Sequence, residues 1–245
     1  MYGILLLNTF FLRVQRDQNA HFFVVNEKQQ TLHFYPFFFN LILSITTTML
    51  NSSNPNVCIV VARYNENVQW TKCFSNVIIY NKGDPLPLNE FNNQIFLNNV
   101  GREGHTYYKH IYDNYDSLAD FTVFVQANPF DHSPNIMSVL PRCIANINDI
   151  DFTFLSELIL QCNLSGCMYH CDLPLIDTYE QLFGEKKEQL DFEFGAGAQF
   201  IVSKHQILQR PREFYLKIVE MLNNSVNPIE GFVIERFHKL ILKPI

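Results

Sequence analysis

VCIVVARYNEN, residues 57–67, changes character at one position. Val57 to Ala62 is an unbroken apolar run, and from Arg63 onward the chain is charged and amide-rich. A strand with one wet face alternates apolar and polar side chains, so a continuous apolar run predicts a strand covered on both faces. The same shape recurs twice. NVIIY (76–80) runs into NKG, and DFTVFVQ (120–126) runs into ANPFDH. A further strand is predicted within 191–202, around QFIV. Helical spacing is read over 105–115, 135–147, 152–161, 212–224 and 231–242, with a short helical piece around Trp70 and Phe74. Strand–helix alternation of this kind predicts an α/β fold: one Rossmann-type domain with a mostly parallel or mixed central sheet flanked by helices. Such sheets bind ligands at the carboxyl ends of their strands. The three polar bursts are therefore expected along one sheet edge.

Bulk composition narrows the partners. A chain of 245 residues can bury a sizeable core, and 47% hydrophobic with 17% charged residues is ordinary for a globular protein. A net charge of −6 argues against a nucleic-acid partner, which calls for a basic surface. Six cysteines in a chain this long do not make a disulfide framework. Cys58 and Cys73 read as core residues. In CNLSGCMYHC (162–171), free thiols, a local disulfide and a zinc site using His170 all stay open, in that order.

Residues 1–50 read as a separate leader or membrane anchor, with the main domain at 51–245. TLHFYPFFFNLILSITTTML (31–50) carries no formal charge over a length that matches a bilayer core. Arg13, Arg16 and Lys28 precede it, so a spanning segment would make a type II membrane protein of the secretory pathway. Sequons at Asn51, Asn163 and Asn223 suit that location. The other reading of the same segment is a dispensable start to a soluble, cytoplasmic protein.

The polar bursts supply the candidate site. The first gives Arg63, Asn65 and Glu66, the second Lys82, and the third Gln126, Asn128, Asp131 and His132. NVGREGHTYYKH (99–110) adds Gly101, Arg102, Glu103 and His105 at a helix start, where free N–H groups and the dipole favour an anion. Arg102 brings a planar fork suited to phosphate. No GxxxxGK[ST] or GxGxxG motif occurs. Asp131 and His132 are candidate ligands for Mn²⁺ or Mg²⁺. FGAGAQFIVS (194–203) lets backbone approach closely through Gly195 and Gly197, with Gln199 beside them. Glu235 and His238, three apart on a helix, are a candidate general base and a candidate metal ligand or phosphate contact.

In that order, VVARYNENVQW, IIYNKG, NVGREGHTYYKHI, VFVQANPFDH, GAGAQFIVS and VIERFHKLI resemble a family of uncharacterised proteins from fungi, algae and large DNA viruses. Its members look like compact GT-A-fold nucleotide-sugar glycosyltransferases, and the resemblance covers about residues 57–242. It implies a single GT-A-like domain that transfers sugar from a nucleoside diphosphate sugar to a glycan, protein or lipid acceptor. It places Arg63, Asn65, Glu66, Lys82, Gly101, Arg102, Glu103, His105, Gln126 and Asn128 near the donor. Gly195, Gly197 and Gln199 fall on the acceptor side. Asp131 and Glu235 become the catalytic carboxylates, and Asp131, His132 and His238 the ligands of Mn²⁺ or Mg²⁺. Two departures stand out. Gln126-Ala127-Asn128 occupies the place of the acidic Asp-x-Asp, and His238 stands where the pattern has tryptophan. A catalytically silent sugar- or protein-binding module and another metal-assisted phosphotransfer or hydrolytic enzyme remain the alternatives.

Overall fold

The computed structural model describes residues 3–7, 10–16, 22–25, 31–32 and 55–243. The chain divides into two units, Met1–Asn54 and Pro55–Ile245. In the first, β1 (Gly3–Leu7), β2 (Phe10–Arg16), β3 (Phe22–Val25) and β4 (Thr31–Leu32) form an antiparallel meander in chain order. Residues 1–30 show no clear period in sequence. Beyond Thr31 and Leu32, the candidate anchor lies outside the described residues. Among the described residues, no helix is long and apolar enough to cross a membrane.

The second unit is built on a six-stranded sheet. Its strands are β5 (Val57–Arg63), β6 (Val77–Asn81), β7 (Gln94–Phe96), β8 (Phe121–Gln126), β9 (Phe152–Phe154) and β12 (Phe200–Ser203). Their order is β7-β6-β5-β8-β12-β9. The first four are mutually parallel, and β12 runs antiparallel to both β8 and β9. β10 (Ile159–Asn163) and β11 (Asp191–Gly195) pair separately as an antiparallel ribbon. Chain direction explains where a ligand fits. From β5 the chain steps outward to β6 and β7, then returns to β8 on the other side of β5. The topological switch point of the sheet therefore lies between β5 and β8, the crevice where open α/β sheets take their ligands.

The unbroken apolar strands are covered twice, as their composition predicts. Cys58 and Val60 of β5 face a core with Tyr107, Tyr108 and Phe237, while Ile59 and Val61 face another with Ile136 and Leu140. The first layer uses α1 (Arg102–Asp113), α3 (Leu175–Phe183), α5 (Arg212–Leu222) and α6 (Ile229–Leu242). The second uses α2 (Ile136–Ala145). A short α4 (Lys204–Ile207) follows β12, its start capped by Ser203 Oγ accepting from Gln206 N. Each large side chain buried in these layers contributes about 1.5–3 kcal/mol.

The helix expected over 152–161 is instead β9, a short link and β10. Its apolar residues suit either period, but Phe152 and Phe154 pair with Val202 and Phe200 of β12. That edge pairing decides the conformation.

Candidate functional site

A cleft of about 680 Å³ opens over the carboxyl ends of β5, β6 and β8 and the start of α1. Arg63, Glu66, Lys82, Arg102, Glu103, Gln126, Asn128 and Asp131 all line it, so the separate polar bursts do converge. Ala62, Tyr64, Asn99, Ala127, Val226 and Asn227 complete the lining.

Two of the cations are already committed. Arg63 is buried, and its Nη1 donates to Asn81 Oδ1 at 2.7 Å and Asp84 O at 2.8 Å, while Nε donates to Glu66 O at 2.9 Å. Glu66 in turn accepts from the backbone N–H of Tyr64 and Asn65. Asn65 Oδ1 accepts from Asp84 N, which ties this loop to the next. Gly83 is required where they cross, because a Cβ there would sit 1.6 Å from Tyr64 O. Lys82 Nζ donates to the carbonyls of Val100 and Arg102. Burial pulls its pKa down to about 8, with Glu103 opposing.

The loop after β8 is pinned from behind. Ala127 N donates to Ala62 O, Trp70 Nε1 to Ala127 O, and Gln199 Nε2 to Pro129 O. Ser133 N also donates to Pro129 O, and its hydroxyl to Leu155 O. These bonds leave Gln126, Asn128 and Asp131 on the cleft wall. Asn128 Nδ2 donates to Asp131 Oδ2 at 3.0 Å.

At the start of α1, Gly101 and Arg102 both adopt positive φ, 63° and 52°. A Cβ on Gly101 would lie 2.6 Å from Leu222 O, so space and φ both demand glycine. The N–H groups of Gly101 and Arg102 donate to Ser225 and Val226 carbonyls. The guanidinium of Arg102 lies 4.1 Å over the Phe232 ring. It stands 3.7 Å from Glu103 and 3.9 Å from Glu235, and its Nε has no hydrogen-bond partner among the described residues.

Other expected site residues lie behind the cleft. Gly101 shapes the turn without lining the wall. His105 is buried, and burial and Lys82 push its pKa down to about 4. Gly195 packs on the Phe154 ring and Gly197 on the His132 ring, where added Cβ atoms would come within 2.4 Å. These two glycines therefore serve close packing, and with Gln199 they form no cleft surface. Glu235 Oε1 accepts from Gly197 N at 3.0 Å. Burial first, then Glu103, push the Glu235 pKa up to about 7 against the pull of Arg102.

The expected metal set does not assemble. His238 is fully buried among Tyr107, Tyr108 and Phe200, with Nδ1 2.8 Å from Tyr108 Oη. Among the described residues, no three His, Cys, Asp or Glu side chains gather closely enough to hold a metal ion. The cysteine expectations also change. Cys162 and Cys167 form a disulfide, Cys171 is free and exposed, and His170 packs on Phe232. Cys58 is buried as expected, but Cys73 is exposed.

The sequence reading missed Val226 and Asn227, which come from the turn between α5 and α6. Nothing local marks that turn as part of the site, because the fold alone brings it to Arg102. It also missed the anchoring role of Trp70.

A family model described as a protein of unknown function, DUF3431, matches residues 59–153 and 170–244. The chain belongs to the DUF3431 family. The match spans the strands and helices around the cleft and omits residues 154–169, which include the Cys162–Cys167 disulfide. The DUF3431 core thus holds the cleft, and the disulfide-bearing turn lies outside it. No curated protein and no solved structure matches the chain.

Proposed function

We propose that the cleft binds a nucleoside diphosphate sugar and that the protein transfers the sugar to an acceptor hydroxyl. The observation that carries this reading is that Arg102 and Asp131 line one polar cleft at the switch point of the sheet. A volume of about 680 Å³ suits a ligand of nucleotide-sugar size. Arg102 offers a planar fork to the diphosphate, and the first turn of α1 adds its dipole. Both favour the charge that develops on the departing diphosphate.

Asp131 is the second element. Of the carboxylates that line the cleft, Glu66 is taken up by two backbone N–H groups and Glu103 lies beside Arg102, which leaves Asp131 to take the acceptor proton. Asp131, with the side-chain carbonyl oxygens of Asn128 and Gln126 on the same cleft wall, would be the residues to hold Mn²⁺ or Mg²⁺. Such a set fits a hydrated ion shared with substrate phosphates and does not fit a protein cage. An ion held there would neutralise the leaving diphosphate.

The test titrates the protein with a panel of nucleoside diphosphate sugars, with and without Mn²⁺, and follows thermal stabilisation. At least one donor should raise Tm, and incubation with acceptor extracts should release free nucleoside diphosphate. If no donor shifts Tm, the reading fails. Asn128, standing where a second carboxylate would strengthen metal binding, favours a silent binding module as the second reading. Stabilisation without release of nucleoside diphosphate would select it.

A further inference from the structure

We infer that the anion site at the start of α1 is proton-linked: an anion that draws Arg102 into the cleft leaves Glu235 to take up a proton. The inference rests on the reading that this cleft receives a diphosphate.

The geometry of Arg102 motivates it. Its guanidinium stands 3.7 Å from Glu103 and 3.9 Å from Glu235, both beyond hydrogen-bonding distance. Attraction to two carboxylates and the Phe232 face holds it, and its side chain is 23% exposed to the cleft. A phosphate would offer bidentate, charge-assisted bonds that this arrangement lacks. Glu235 cannot follow, because Gly197 N fixes Oε1 at 3.0 Å. Glu103 is held on the first turn of α1.

The charges facing this pair set the sign. Arg102, Glu103 and Tyr107 approach Glu235 from α1, Arg236 lies beside it on α6, and Lys82 faces Glu103 from the loop after β6. The buried Glu235 shares the cation with Glu103 of the cleft wall, and the Glu103 charge disfavours ionisation of Glu235. Arg102 is the leading influence holding Glu235 ionised. Pairing Arg102 with a phosphate weakens that influence, and the phosphate's own charge acts in the same direction. Both favour protonation. Binding should therefore tighten as pH falls towards 7, by up to about tenfold per pH unit for one linked proton, and level off below that.

Calorimetric titration of the full chain with uridine diphosphate at pH 7.5, in two buffers of different ionisation enthalpy, counts the protons directly. Its phosphates are largely ionised there, so uptake reports the protein. Wild type should take up about half a proton or more per ligand, an order-of-magnitude expectation from linkage. Glu235→Gln, whose amide oxygen can still accept from Gly197 N, should bind at least as tightly and take up almost none. Glu103→Gln should lower the uptake and provides a second variant if Glu235→Gln folds poorly. Binding without proton uptake, or uptake unchanged in both variants, overturns this inference and leaves the nucleotide-sugar reading standing. Failure of uridine diphosphate and every donor sugar to bind overturns both.

Discussion

Arg63 and Arg102 line the same cleft, yet their surroundings differ in kind. Arg63 is enclosed and hydrogen-bonded to Asn81, Asp84 and Glu66, so its charge braces the loops after β5 and β6. Arg102 is part-exposed, lies on an aromatic face, and sits just beyond hydrogen-bonding range of two carboxylates. One cation builds the wall and the other is available to a ligand. A charged residue in a strand-end loop is therefore not evidence of a ligand contact until its donors have been traced.

Four experiments sharpen or break that contrast, beginning with the largest effect. Arg63→Ala removes one of two donors to Asn81 Oδ1 and to Asp84 O and the side-chain donor to Glu66 O, and should cost about 3 kcal/mol of stability in urea denaturation. Arg102→Ala should cost under about 1 kcal/mol in the same experiment. Equal losses would erase the distinction. Next, Asp131→Ala should cut sugar transfer by about a hundredfold or more, with stability within about 0.5 kcal/mol of wild type. Retained transfer would remove Asp131 from the chemistry. Third, Arg102→Ala should weaken uridine diphosphate binding by about tenfold, as loss of a charge-assisted contact predicts, whereas Lys82→Met should act mainly on stability.

Smallest in its bearing on the cleft is the pH dependence of stability. Burial holds His105 and His110 down to about 4 and His238 down to about 3, against an ordinary 6.5. The unfolded chain binds more protons at these sites, so stability is lost as pH falls from 6.5 towards 4. Glu235 acts oppositely. Its pKa is raised from 4.5 to about 7, so its contribution is lost as pH rises through that interval. Tm should therefore rise with pH between about 4 and 6.5, and more steeply in Glu235→Gln. A Tm profile flat across that range would contradict the buried placement of the histidines.

Much of this frame is legible without coordinates. Val57–Ala62 and Phe121–Val125 announce strands covered on both sides, and the polar residues after them mark the cleft edge. The limits are physical. DFTFLSELIL satisfies both helical and strand periods, and only pairing with β12 chooses between them. β7 is three residues long and sits in a Pro- and Asn-rich loop, too short for periodicity to show. The glycines of GAGA look suited to a ligand, but the nearby atoms are Phe154 and His132 rings. His238 looks like a metal ligand until its aromatic surroundings are seen. Residue type reports what a side chain can do, and only tertiary placement reports which of its bonds are already made.

Trp70 offers the most direct test of the central claim. It is the single tryptophan, and its Nε1 donates to Ala127 O behind the loop that carries Asn128 and Asp131. Its fluorescence therefore reports on that wall of the cleft. Titration with nucleoside diphosphate sugars should give a saturable change with at least one donor, weakened in Arg102→Ala. No saturable change with any donor, or one that survives Arg102→Ala unaltered, would contradict the assignment of this cleft as the nucleotide-sugar site.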